Sequence, residues 1–418
     1  MLTMLTTLFA TVFDRDTLLR RARQLRAVER VRELHPADVL LALVRSAVGD
    51  EHPGLATARR QLYAATGFMP EESSFYERIT PGFGDLGWDV FLQALAKATR
   101  VQRRQVAKAL GLRVRDVRAI DASVVTLPER ASPHLPSTDS KLGGFKITAV
   151  LSVMEDLLIS AHITDARQHD RKALVLPKAA KAVLHLMDRG YSDHRLFAEI
   201  ADRGGYFIIR LKSCSQPEIE TIRDGIAKMH LGKPLSRQLP VWGFVDMDAR
   251  FKLGGEKTRT FRVVAVPVAK NKAGEPDWIW LATNLPASVA AKTVGTFYRL
   301  RWSIESLFRA LKGVGRLDEI QSANPAILKS FIAATLIGLV LSQSICASMR
   351  AERPRCVPSL LRVFKLLLAN IGQLADAFGT PAFKLEIERF VAALWREGVN
   401  PNPGRPYALQ HHLCTVGE

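Results

Sequence analysis

The sequence predicts an α/β protein in which a mixed β-sheet carries helices on its faces and helical segments flank it at both ends. Strand-like and helical segments alternate between residues 116 and 212, which is typical of such a sheet. Helical spacing of apolar residues dominates residues 1–115 and 346–418. Residues 213–284 are rich in proline, glycine and β-type runs, and they predict a β subdomain inserted into the core.

Composition limits the kind of partner. The chain has 418 residues with 47% hydrophobic content, which is enough for a sizeable core and for more than one domain. Its 59 Lys and Arg against 41 Asp and Glu give a net charge of +18. A charge this far from zero favours a polyanionic partner, with nucleic acid first and an anionic membrane second. No surface helix has the amphipathic pattern that membrane binding needs.

Cysteine usage and apolar runs indicate where the protein acts. The four cysteines, Cys214, Cys346, Cys356 and Cys414, form no paired motif, and this favours free thiols in a reducing compartment. The most apolar stretch, 331–341, has about half of the roughly 20 residues of a membrane-spanning helix, and it predicts a core helix. We therefore expect a cytoplasmic protein.

The N-terminal region predicts a helical domain over residues 1–115. Two helices are expected within residues 14–48, and the second starts near Ala37. Further helices are expected at 55–66, 73–78 and 86–110, and Gly67 ends the helix at 55–66. Arg59, Arg60 and Arg78 make this region compatible with a DNA-binding helix-turn-helix. A small helical domain without that role explains the pattern equally well.

The central region, 116–345, predicts the mixed sheet. Strands are expected at 117–125, 145–153, 157–163, 183–187 and 206–211, with helices at 171–182 and 193–203. Within the insertion, 213–284, strands are expected at 241–245, 260–268 and 278–282. Helices follow at 288–312, 325–350, 359–375 and 381–397, and the last two form a helical C-terminal domain over 346–418.

One predicted helix carries an unusual polar face. At about 100° per residue, Tyr298, Arg301, Glu305 and Lys312 fall within a stripe roughly 60° wide beside the apolar face. A solvated salt-bridge stripe would look the same. A face that holds phosphate and metal would need these same groups, because it needs cations, a carboxylate and a hydroxyl together.

Two aspartates add to this face. Asp121 follows the strand that begins at Val117, and Asp188 follows the strand 183–187. Catalytic groups collect at strand ends in such sheets, although an Asp in this position is also an ordinary helix or turn cap. Together with Glu305 they make a three-carboxylate cluster, which is suited to two Mg²⁺ ions because hard ions prefer oxygen ligands. Asp121 would bridge the ions, while Arg301 and Lys312 would hold phosphates.

The three segments resemble the motifs of bacterial insertion-sequence DDE transposases, in the branch whose third motif is Tyr-x2-Arg-x3-Glu-x6-Lys. Tyr298, Arg301, Glu305 and Lys312 fit that spacing without a gap. Residues 188–191, Asp-Arg-Gly-Tyr, resemble the second motif. Residues 121–123 resemble the first, with Ala122 where the family often has Gly. The resemblance covers about residues 10–345.

The resemblance implies both a fold and an activity. The fold would be a ribonuclease H-like core with the β insertion between the second Asp and the Glu. The activity would be cut-and-paste DNA transposition through a hairpin intermediate, with Asp121, Asp188 and Glu305 as catalytic metal ligands. Tyr298, Arg301 and Lys312 would contact DNA phosphates. Two Mg²⁺ ions, which Mn²⁺ can replace, would be the cofactors, and a homodimer would hold the inverted-repeat ends and target DNA at the bacterial nucleoid.

Two rival functions stay open at this stage. A metal-dependent nuclease would share the fold and the carboxylates and would cut DNA without joining strands. A DNA-binding protein without catalysis would share the charge. Trp302, off the apolar face of its helix, could stack on a base or pack against the β insertion. Trp278 and Trp280 face one side of a strand and are further candidates for base contact.

Overall fold

A computed structural model describes most of the chain. The described residues are 2–30, 33–46, 52–98, 111–139, 141–176, 181–224, 231–235, 244–268 and 277–400. The predicted helix at 86–110 therefore lies outside the described residues beyond Ala98, as does the predicted strand at 241–245 except for its last two residues.

The N-terminal region is helical, as predicted. Its helices are α1 (Leu2–Phe13), α2 (Arg15–Gln24), α3 (Pro36–Arg45), α4 (Leu55–Thr66), α5 (Glu72–Arg78) and α6 (Pro81–Lys97). Asp14 caps α2 by accepting a hydrogen bond from the Thr17 amide at 2.8 Å. Gly67 ends α4 in the left-handed conformation, with φ of 71°, which glycine adopts without strain. Local capping signals thus fix these helix ends.

Within the described part of the chain, nine strands form one mixed sheet. They are β1 (Asp116–Leu127), β2 (Gly143–Ser152), β3 (Leu157–Asp165), β4 (Val183–Met187), β5 (Tyr206–Arg210), β6 (Glu218–Asp224), β7 (Val245–Gly254), β8 (Lys257–Val268) and β9 (Asp277–Thr283). Their order across the sheet is β3-β2-β1-β4-β5-β9-β8-β7-β6. β4 is parallel to both β1 and β5, and all the other pairs are antiparallel. The strands between residues 213 and 284 thus extend the same sheet, because β9 pairs with β5.

The remaining helices are α7 (Asp170–Ala173), α8 (His194–Asp202), α9 (Ala291–Arg299), α10 (Trp302–Arg309), α11 (Pro325–Glu352), α12 (Leu360–Ala377) and α13 (Ala382–Glu397). The prediction of a helix over 171–182 was wrong at residues 174–176, and residues 177–180 lie outside the described residues. Leu174 is extended, and Pro177 follows three residues later. Proline cannot donate the hydrogen bond that a helix interior requires.

Helix α11 is the central core element and packs against α3, α6 and α12. By length and composition alone it could cross a membrane, but 89% of its most apolar window is buried inside the protein. The prediction of a core helix is confirmed. The helix also runs across residue 345, where the sequence predicts a domain boundary.

Apolar residues pack on both faces of the sheet. One cluster joins the N-terminal helices, one sheet face and the C-terminal helices. The other lies between α8 and the inserted strands, where Phe197, Phe207, Phe251 and Phe261 contact one another. The sheet is therefore held from both sides along the strands that carry the candidate site.

Candidate active site

Asp121 and Asp188 lie on neighbouring parallel strands. The parallel pairing of β1 with β4 ends at Ile120 and Met187, and each aspartate is the next residue along its strand. Asp188 ends its strand as predicted, whereas Asp121 lies inside β1, which continues to Leu127 because it keeps pairing with β2. The side chain of Asp188 forms no capping hydrogen bond, so the capping role is not supported there.

The prediction of one continuous helix over 288–312 was wrong. Helices α9 and α10 are separated by a tight turn in which the amides of Leu300 and Arg301 bond to carbonyls three residues back, both at 3.0 Å. A wider turn follows at Ala310–Val314, where the Gly315 amide reaches the Ala310 carbonyl, five residues back, at 2.9 Å. Such irregular turns often occur at functional sites.

Arg301, at the break between the two helices, links two of the carboxylates. One terminal nitrogen, Nη1, donates to Asp121 Oδ2 at 2.9 Å, and Nη2 donates to Glu305 Oε1 at 2.6 Å. The Tyr298 hydroxyl donates to Asp188 Oδ1 at 3.3 Å. Five predicted site residues thus meet, although β1, β4 and the α9–α10 segment are far apart in sequence. Because Arg301 also reaches β1, the polar face is not merely a solvated stripe.

Lys312 lies close to the same strand but contacts backbone. Its Nζ donates to the Val124 carbonyl at 2.6 Å, three residues beyond Asp121 on β1. The ammonium is therefore held near the cluster without an ion pair to any of the three carboxylates among the described residues.

The carboxylates act on one another electrostatically. The pKa of Asp121 is raised to about 6, mainly by burial, with the charges of Asp188 and Glu305 adding to the rise. Its hydrogen bond from the Ala122 amide and the Arg301 charge oppose this rise. Burial also raises the pKa of the Tyr298 phenol, and the Asp188 charge adds to that effect. The negative charge here exceeds what Arg301 offsets, as expected of a cation site.

Three residues near the cluster escaped the sequence analysis. The Tyr191 side chain is fully buried, and its hydroxyl has no hydrogen-bond partner among the residues that the structure describes. Burial, with the charges of Asp121, Asp170 and Asp188, raises the Tyr191 pKa. Asp170 accepts a bond from Lys146 Nζ at 2.6 Å, and Arg210 ends β5 close enough to Tyr298 to lower its pKa. Of the three, only Tyr191 could have been identified from the sequence, because it lies in the segment 188–191 that resembles the second motif.

The donor set suits a hard divalent ion, since all three candidate ligands are carboxylates and the buried Tyr191 hydroxyl is left without a partner beside two of them. Among the residues that the structure describes, no three His, Cys, Asp or Glu side chains are gathered into a ready metal site. Arg301 lies instead between Asp121 and Glu305. The residues therefore fit the ion in kind, with the guanidinium supplying part of the positive charge.

The tryptophans differ in their surroundings. Trp302 is 46% exposed and borders a small cavity with Leu151, Asp156 and Leu360. These neighbours come from β2, the β2–β3 turn and α12, so the prediction that Trp302 packs against the inserted strands gains no support. Trp280 is buried in the core beside the inserted strands.

Comparison with known proteins places this geometry in a family. The transposase DDE domain family matches residues 112–341, more than half of the chain, and the chain belongs to that family. It is similar to transposase InsL for insertion sequence element IS186A of Escherichia coli (strain K12), with 34% identity over 112 residues. The transposase for insertion sequence element IS421 of Escherichia coli is similar to the same extent. Each match covers 27% of this chain and 29% of the relative's length.

Proposed function

We propose that the protein is a DNA transposase that cuts DNA at the ends of its own insertion sequence and joins those ends to a target. One observation carries the proposal: Asp121, Asp188 and Glu305 meet around Arg301 and Tyr298. A buried carboxylate cluster of this kind is what phosphodiester chemistry with divalent ions needs. The family membership supports the same function.

The architecture supports a ribonuclease H-like core. Strands β3-β2-β1-β4-β5 form an uninterrupted half of the sheet in which β1, β4 and β5 run parallel. We assign residues 116–345 to the catalytic domain, with 213–284 as its β insertion. Residues 1–115 would recognise the inverted-repeat ends, and residues 346–418, which begin inside α11, would assist dimerisation. The gap-free spacing of the third motif supports the Tyr-Arg-Glu-Lys branch.

The carboxylates Asp121, Asp188 and Glu305 would hold two Mg²⁺ ions, which Mn²⁺ can replace. When bound, the ions supply charge stabilisation at the attacking and leaving oxygens of an in-line displacement. Asp121, in the middle of the β3-β2-β1-β4-β5 half of the sheet, is acted on by the charges of both other carboxylates and would help to hold the ions.

The cations of the site would position the DNA. The guanidinium of Arg301 matches two phosphate oxygens as well as two carboxylates, so a phosphate entering the cluster can take over its donors. The ammonium of Lys312, held at the Val124 carbonyl, would act as a point charge toward a neighbouring phosphate. The Tyr298 hydroxyl would keep Asp188 oriented toward the scissile bond.

The partners would be the inverted-repeat ends and the target DNA, with two copies of the chain bringing the ends together at the bacterial nucleoid. The test is an assay on labelled DNA that carries the element's own terminal repeat, with Mg²⁺ and then with EDTA. We expect nicking that requires metal, followed by a hairpin product and strand joining, as in cut-and-paste transposition. Metal-dependent nicking without joining would leave a nuclease, and tight binding without nicking would leave a non-catalytic protein.

A further inference from the structure

A large cavity lies beside the candidate active site, on the side of the inserted strands. Its volume is about 1030 Å³. Its walls come from α7, the start of α8, the segment after β5, and the turn between β7 and β8. We call this feature the insertion groove.

The insertion groove is lined by more positive than negative charge. Its cations are Arg171, Lys172, Arg195, Lys212, Arg250 and Lys252, and its carboxylates are Asp193 and Glu218. Both carboxylates are neutralised locally, since Arg171 lies 3.5 Å from Asp193 and Arg250 lies 2.9 Å from Glu218. The three lysines and Arg195 form no ion pair with any residue that the structure describes. Four positive charges in the groove thus lack a counter-ion within the described chain.

Arg195 is held in place rather than free to move. Its Nε donates to the Leu253 carbonyl at 2.7 Å. The guanidinium also lies against Gly254, where an added Cβ would come within 2.6 Å of Nη2. Gly254 has a φ of +124°, which favours glycine, so this turn brings its backbone directly onto the arginine. A guanidinium fixed in this way loses little entropy when it binds an anion.

The insertion groove and the candidate active site are formed by neighbouring residues of the same chain segments. Ser192, in its wall, follows Asp188 by four residues, and the Lys212 amide donates to its hydroxyl at 3.4 Å. Two residues before Lys212, Arg210 acts on the Tyr298 phenol inside the site. The groove wall therefore begins within four residues of Asp188 and within two residues of Arg210.

We propose that the insertion groove binds the phosphate backbone of the DNA that continues from the scissile phosphate. This inference rests on the proposed function and adds a second place where the chain contacts its substrate. Phosphates fit because they recur at short intervals, and the uncompensated cations come from four separate wall segments. An acidic peptide is the alternative occupant, and the test below separates it from DNA.

The first test is the salt dependence of DNA binding by the full chain. In the triple variant Lys172→Gln, Lys212→Gln and Lys252→Gln, three phosphate contacts are lost. At about 0.9 per contact, the slope of log K against log salt should become shallower by roughly 2.7. Between 50 and 200 mM salt, wild-type affinity should then fall roughly 40-fold more than that of the variant.

A control variant removes the charge of two exposed lysines away from the groove. Lys365 on α12 and Lys384 on α13 are exposed and lie outside the groove lining. The variant Lys365→Gln, Lys384→Gln should keep the wild-type slope. An equal loss of slope in this control would overturn the proposal, because net charge alone would then explain it. A second result would also overturn the proposal. If the triple variant lost affinity for polyglutamate but bound DNA as the wild type does, the groove would bind an acidic peptide.

The second test uses a native thiol. Cys214 is exposed and lines the groove, whereas Cys346 is buried. A photoactivatable azidophenacyl group on Cys214, in a chain carrying Cys356→Ser and Cys414→Ser, should cross-link to DNA next to the scissile position. The same group on Cys356, in a chain carrying Cys214→Ser and Cys414→Ser, should give far fewer adducts. Absence of Cys214 adducts, with an unchanged salt slope, would overturn the proposal.

The outcomes separate this inference from the proposed function. If the protein cuts element ends normally and the salt slope of the triple variant is unchanged, the groove does not bind DNA and the proposed transposase function stands. If DNA binding depends on the groove but no metal-dependent cutting occurs, the proposed chemistry is wrong and the groove is still a DNA-binding surface.

Discussion

Removing the Arg301 side chain should destabilise the metal-free protein, because this guanidinium neutralises the carboxylates of both Asp121 and Glu305. Only 13% of its side chain is exposed, against 22% for Asp121 and 28% for Glu305. Breaking a fully buried pair by removing one partner costs about 3–5 kcal/mol, and partial exposure lowers this. We therefore expect Arg301→Met to lower the free energy of unfolding by about 2–3 kcal/mol in EDTA.

The assay is urea unfolding in EDTA and in excess Mg²⁺. The loss should shrink in Mg²⁺, because the ions offset the same carboxylates. Adding Asp121→Asn to Arg301→Met should restore part of the lost stability, since one uncompensated charge disappears. The control is Arg389→Met, because the Arg389 side chain is 66% exposed where it pairs with Glu386, and its removal should cost less than about 1 kcal/mol. Equal losses in the two single variants would refute the reasoning.

Two further predictions concern the same cluster. Because the pKa of Asp121 is raised from 3.8 to about 6, its contribution to metal-free stability is complete below about pH 4 and is lost as the pH rises through 6. Relative to wild type, Asp121→Asn should therefore gain up to about 3 kcal/mol of unfolding free energy between pH 4 and pH 7 in EDTA, and a pH-independent difference would contradict the burial argument. Tyr191→Phe should change metal-free stability by less than about 1 kcal/mol, because its hydroxyl has no partner to lose, and a loss of several kcal/mol on urea unfolding would show a missed hydrogen bond.

The sequence was most informative where local signals decide structure. Gly67 ended α4 where the sequence predicts, and β-type runs indicated β8 and β9. The helix predicted from residue 86 begins instead at Pro81, because proline fits the first position of a helix. The weak strand β6 was missed because Ile219 and Ile222, its only apolar residues, are spaced three apart, as on a helix. β6 lies at the edge of the sheet, where it pairs with a neighbouring strand on one side only, so fewer of its positions need apolar residues.

The candidate site was predicted in its residues and not in its geometry. A helical wheel assumes a uniform 100° step, and residues 296–312 contain no proline and no glycine that would indicate a break. The tight turn at Leu300–Arg301 and the wider turn at Ala310–Val314 depend on packing against the sheet, which a wheel omits. The contact of Arg301 with Asp121 joins residues 180 apart, and Asp170 lies in no motif, so neither was visible in the sequence.

The most direct test of the central claim is the rate at which purified variants cut DNA bearing the terminal repeat in Mg²⁺. The account predicts that Asp121→Asn, Asp188→Asn and Glu305→Gln each slow cutting by roughly three orders of magnitude, because losing a metal ligand forfeits several kcal/mol. DNA binding should stay near the wild-type level, and Glu386→Gln, on exposed α13, should cut normally. Cutting at the wild-type rate by any one of the three variants would contradict the assignment of that residue to the active site.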